Sequence, residues 1–85
     1  TMPTIPTIHL NGTSKAELLH ALTEADAAVS KAGHALAETA PNARDYYPQG
    51  PSAYGKAADE HDARMTALGK IRADIAEIVN AIYFK

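Results

Sequence analysis

The 85-residue chain contains no cysteine, no tryptophan and a single phenylalanine. Without cysteine there can be no disulfide and no thiolate metal ligand, a composition that fits a reducing compartment. No apolar run approaches the roughly 18 residues that a membrane-spanning helix needs. The amino end lacks the basic stretch and long apolar core of a secretory signal, and with Thr1 ahead of Met2 the natural chain is expected to start at Met2. Positive charge is not in excess either: 8 basic residues stand against 10 acidic ones, a net charge of −2. Proteins that hold duplex DNA present a basic face to its phosphates, so neither duplex nucleic acid nor a membrane is an expected partner. Phosphate-loop and dinucleotide fingerprints are missing, as are Gly-x-Ser-x-Gly and any evident serine–histidine pairing. The four histidines, His9, His20, His34 and His61, are scattered. His20 and Glu24 are one helical turn apart, but two ligands do not close a metal site. No cofactor, metal or acid–base set is therefore expected, and the protein is read as a non-enzyme.

What the chain has in abundance is alanine, 18 residues of it. Alanine favours helix strongly and buries little surface, so long helices with a thin core are expected. The expected fold is all-α: one domain over residues 1–85, an antiparallel two-helix hairpin with an extended amino-terminal arm. A lone hairpin of this kind should be marginal, and assembly into a helical-bundle homo-oligomer is expected. Pro3 and Pro6 forbid regular helix in the arm, residues 1–13, where Ile8 and Leu10 alternate with Thr7 and His9 in a short strand-like pattern. The arm is expected to lay its apolar residues on the helices, either its own or those of a neighbouring subunit.

The first helix is expected over residues 14–39. Ser14 and Glu17 form a Ser-x-x-Glu capping box at its start, and Pro41 and Asn42 stop it. Leu18, Leu22, Ala25, Val29, Ala32 and Leu36 recur at alternating steps of four and three, a heptad seam. The second helix, residues 52–83, is expected to open at Pro51 and Ser52. Its seam runs Ala57, His61, Arg64, Leu68, Ile71, Ile75, Ile78 and Ile82, widened by Met65 and Val79. It is polar near its start and apolar towards its end. Lys56 and Glu60 should form an exposed i, i+4 pair.

The connector, residues 40–51, is longer than a helix–helix turn requires and richer in chemistry. Arg44 could pair with a phosphate or carboxylate, Tyr46 and Tyr47 could stack on a planar ring, and Gln49 could read a polar edge. Against that stands the plainer reading in which the tyrosines plug the end of the hairpin while Arg44 and Asp45 satisfy loop backbone. His61 and Arg64, placed inward one turn apart, need polar partners, and the connector is the nearest source. They could complete a binding site there, or form a buried network with Asp45 or a tyrosine hydroxyl. A second polar motif, containing Asn11, Thr13 and Lys15, precedes the first helix and could cradle an anion or simply make a turn and cap. A helix of about 25 residues spans roughly 37 Å. The two motifs can therefore share a site only across subunits.

The stretches His9-Leu10-Asn11-Gly12-Thr13-Ser14-Lys15, Arg44-Asp45-Tyr46-Tyr47-Pro48-Gln49-Gly50 and Glu60-His61-x-Ala63-Arg64 resemble a group of small proteins encoded in bacteriophage and prophage genomes. The likeness covers residues 8 to about 80; the connector motif is its specific part. It brings no activity with it, but it implies an accessory protein at work in the cytoplasm of a bacterial host. By analogy with the anti-CBASS and anti-Thoeris sponges, which are small oligomeric helical proteins, it implies sequestration of a nucleotide-type signal at subunit interfaces. The alternative is a protein-interaction module, an inhibitor of a host protein or a virion accessory factor, that uses residues 44–50.

Overall fold

A computed structural model of the protein describes residues 2–84. Among them lie three helices and no strand: α1 (Lys15–Ala37), α2 (Ala43–Tyr46) and α3 (Ala53–Tyr83), with a 3-10 turn at Tyr47–Gln49. Helix α1 starts where the capping pattern puts it, because the Ser14 side chain accepts a hydrogen bond from the Glu17 amide at 3.1 Å. It stops at Ala37, two residues early, as the Thr39 hydroxyl donates to the Leu36 carbonyl at 2.7 Å. Ser52 occupies the N-cap position of α3 but makes no capping bond with its side chain.

Helices α1 and α3 pack side by side in opposite directions. The Lys15 ammonium donates to the Tyr83 carbonyl at 3.1 Å, Arg72 meets Asp26, and Leu68 lies beside Gly33. These pairs ascend α1 as they descend α3, and the result is a rod of 61 × 23 × 18 Å.

The seam of α1 differs in phase from the expected one. Leu18, Leu22, Val29 and Leu36 are half-buried as foreseen, but Ala25 and Ala32 face solvent and Asp26 and Gly33 take their places. The Asp26–Arg72 pair favours this phase. Asp26 reaches Arg72 across the interface, and Gly33 faces Leu68, which stands 4.0 Å from where a Cβ would be. On α3, Met65 rather than Arg64 turns inward, and Arg64 is exposed. With 3.6 residues per turn, the step from His61 to Met65 keeps to the contact line, and the guanidinium keeps its water. Ile71 is likewise left 46 % exposed.

Burial is thin. Among the described residues only Ala57, His61 and Ile82 are buried, and the other large apolar side chains of the seams remain at least partly open to solvent. The arm forms no strand. Pro3, Ile5 and Pro6 are half-buried, but Ile8 is at the margin of exposure and Leu10 is 99 % exposed. A turn closes it, with the Gly12 amide bonded to the His9 carbonyl at 3.1 Å. The His9 ring folds over Gly12 closely enough that any Cβ there would collide with Nε2 at 2.7 Å.

Candidate functional site

The connector is a folded element and not a slack turn. Asn42 is the N-cap of α2, its side-chain oxygen accepting from the Arg44 amide at 3.0 Å. Pro48 sits in the first turn of the 3-10 segment, where its missing amide hydrogen costs nothing. Gly50 ends that segment at φ 111° and ψ 171°, the one positive-φ residue described. L-side chains avoid this backbone region, so glycine is what lets the chain reverse into Pro51 and α3.

This reversal folds Tyr46 and Tyr47 back beside the first turn of α3. Tyr54, within the expected second helix and in no expected site, lines the same hollow as both. Tyr46, Tyr47 and Tyr54, with Ala43, Gly50 and Pro51, line an open groove of about 440 Å³. Tyr46 is half-buried and forms its inner part, whereas Tyr47 is 84 % exposed and Tyr54 43 % exposed. No lining residue carries a charge. A neighbouring hollow of about 350 Å³ shares Ala43 and Tyr47 and adds Arg44. Asp45 and Gln49 are exposed on the same connector.

The remaining expected site residues lie elsewhere. His61 is only 7 % exposed, and its Nδ1 has no hydrogen-bond partner. It therefore belongs to the helix interface and joins neither Asp45 nor a tyrosine hydroxyl. Arg64 points to solvent. Asn11 and Thr13 are exposed at the far end of the rod, and Lys15 is committed to the Tyr83 carbonyl. Within one chain, the Asn11–Lys15 motif and the connector are held apart by the length of α1, as its helical rise requires.

The electrostatic pairs are also distributed away from the groove. Arg72 grips Asp26 with Nε to Oδ1 at 3.0 Å and Nη2 to Oδ2 at 3.2 Å. The hydrogen bond from the Arg72 guanidinium holds the Asp26 carboxyl below its usual pKa; desolvation opposes it, and the Arg72 charge adds a lesser lowering. His20 and Glu24 approach at 3.9 Å on the solvent side of α1, whereas no ion pair between Lys56 and Glu60 is formed among the described residues. No three His, Asp or Glu side chains among the described residues converge as a metal cluster would need. No described helix is long and apolar enough to cross a membrane.

No protein-family model, curated protein or solved structure matches this chain.

Proposed function

We propose that the protein is a non-enzymatic binding module that captures a short apolar segment of a protein partner in the tyrosine groove of its connector. The observation that carries this reading is the convergence of Tyr46, Tyr47 and Tyr54 on one uncharged groove. Tyrosine offers a large, stiff contact surface with a hydroxyl that can hydrogen-bond at the rim, which is why it is enriched in the energetic centres of protein interfaces. The groove is preformed by the α2 cap and by Gly50, so little ordering entropy opposes binding. The likeness of the connector motif to phage-encoded proteins makes a host protein the natural partner class.

A second reading, sequestration of a nucleotide-type signal, draws support from the hollow in which Arg44 stands beside Tyr47. A guanidinium and an aromatic ring are the parts needed for phosphate and base. Asn11, Thr13 and Lys15 could add to such a site only from another copy of the chain. Homo-oligomeric assembly belongs to both readings and is supported by the thin core.

Capture from bacterial lysate separates them. Immobilised protein is expected to retain one stoichiometric protein that Tyr47→Ala and Tyr54→Ala lose, while calorimetry with a panel of cyclic nucleotides gives no heat. Heat from a cyclic nucleotide that Arg44→Ala abolishes, with no protein retained, would replace the first reading by the second.

A further inference from the structure

We infer that Asn11 is a self-modifying site: its side-chain amide is lost to attack by the Gly12 nitrogen, with the His9 imidazole as the base. The chain holds three asparagines, Asn11, Asn42 and Asn80, and the fold treats them differently. Asn42 caps α2, its side-chain oxygen held by the Arg44 amide at 3.0 Å. Asn80 lies within α3, where the helical backbone keeps the following amide in its hydrogen-bond ladder. An alanine follows each of these two, and its Cβ crowds the nitrogen that would have to attack. Asn11 is exposed in a turn outside the helices, and its side chain makes no hydrogen bond among the described residues. Gly12 follows it, with no Cβ to obstruct the nitrogen and the backbone freedom to swing it towards the side chain.

His9 is placed to act as the base. A Cβ on Gly12 would stand 2.7 Å from His9 Nε2, so the imidazole packs on the Gly12 Cα, one bond from the nitrogen that must lose a proton. The Gly12 amide donates to the His9 carbonyl at 3.1 Å. Both residues are exposed, so this bond opens with water ready to replace it. The Gly12 nitrogen then bonds to the side-chain carbonyl carbon of Asn11 as its proton passes to Nε2. The side-chain carbon–nitrogen bond breaks, and the departing amine takes the proton from the imidazolium and leaves as ammonia. Water adds to one carbonyl of the resulting five-membered imide and breaks the bond from that carbon to nitrogen. The product is aspartate, or isoaspartate where the main-chain bond is the one broken. Either adds one negative charge to the chain's net −2, in the motif that contains Lys15. The tyrosine groove, at the other end of the rod, is untouched.

Peptide mapping by mass spectrometry of the whole chain, incubated folded at neutral pH, tests the assignment. Residue 11 is expected to change from amide to acid while Asn42 and Asn80 stay intact. His9→Ala should slow that change at least about fivefold. Free imidazole in the buffer should restore the rate, which it would not do if the ring only shaped the turn. His9→Gln, which keeps a polar side chain of similar reach, should be as slow as His9→Ala. Residue 11 intact after the time in which the urea-unfolded chain has converted would overturn the site. Equal rates in the wild type and His9→Ala, or a slow His9→Ala that imidazole leaves slow, would overturn the base.

Discussion

Arg72 and Asp26 are 46 residues apart in sequence and are joined by two parallel hydrogen bonds, 3.0 and 3.2 Å long. The pair fixes the register of α1 against α3 midway along the rod, where the apolar seam is interrupted. Pairing lowers the Asp26 pKa on folding, so its contribution to stability is present above the ordinary carboxylate value near 3.8. It fades as pH falls through the lower folded value. Thermal melts should therefore show Asp26→Asn less stable than the wild type at neutral pH, with the gap closing in acid. A gap independent of pH down to about 2 would refute a charge-assisted role for the pair.

Gly33 is helical and sits on the contact face. A Cβ there would stand 4.0 Å from Leu68, ordinary van der Waals contact. Gly33→Ala should therefore stabilise the protein by about 0.5–1 kcal/mol through helix propensity, measured by urea unfolding at fixed protein concentration. A loss of stability would mean that the helices approach more closely at this point than described.

His61 is the buried polar residue of the seam, and its Nδ1 is left without a partner. An unsatisfied buried polar atom costs about 1–3 kcal/mol. His61→Leu should raise stability by about 1 kcal/mol in the same assay. A decrease of that size would indicate that the imidazole finds a partner in the assembled protein.

The helices were legible because their signals are local and redundant: the Ser14–Glu17 cap, and apolar steps of four and three. The phase of the seam was less so. With alanine at 25, 27, 28, 32 and 35, pattern alone does not separate Ala25 and Ala32 from Asp26 and Gly33. The Asp26–Arg72 pair favours the observed phase, and it is a long-range contact. A strict heptad passes through Arg64, whereas the contact line passes through Met65. The connector was marked by its composition, but α2 is too short to carry a periodicity. Tyr54 joins Tyr46 and Tyr47 only once Gly50 has turned the chain back. The cue that could have found it is the Gly50-Pro51 pair, a turn signal that reverses the chain just before Tyr54.

Gly50 supports the groove without lining it with a side chain. At φ 111° an alanine is strained, and Gly50→Ala should cost about 1–3 kcal/mol. The damage should centre on the connector. Far-ultraviolet circular dichroism should change little, while the tyrosine near-ultraviolet signal, undisturbed by any tryptophan, should change markedly. Unaltered tyrosine signals and stability would contradict the turn described.

Tyr47 is 84 % exposed, so Tyr47→Ala should shift stability by no more than about 0.5 kcal/mol, read from urea unfolding. Its effect should appear in binding, where truncating a central interface tyrosine costs about 2 kcal/mol or more. A large stability loss would return the tyrosine to a structural role.

The most direct test is an amide chemical-shift map of the isotope-labelled protein titrated with the partner it captures. The account predicts that perturbations gather at residues 43–54, around Tyr46, Tyr47 and Tyr54, and vanish in Tyr47→Ala/Tyr54→Ala. Perturbations spread along α1 and the exposed flank of α3, with residues 43–54 silent, would contradict it.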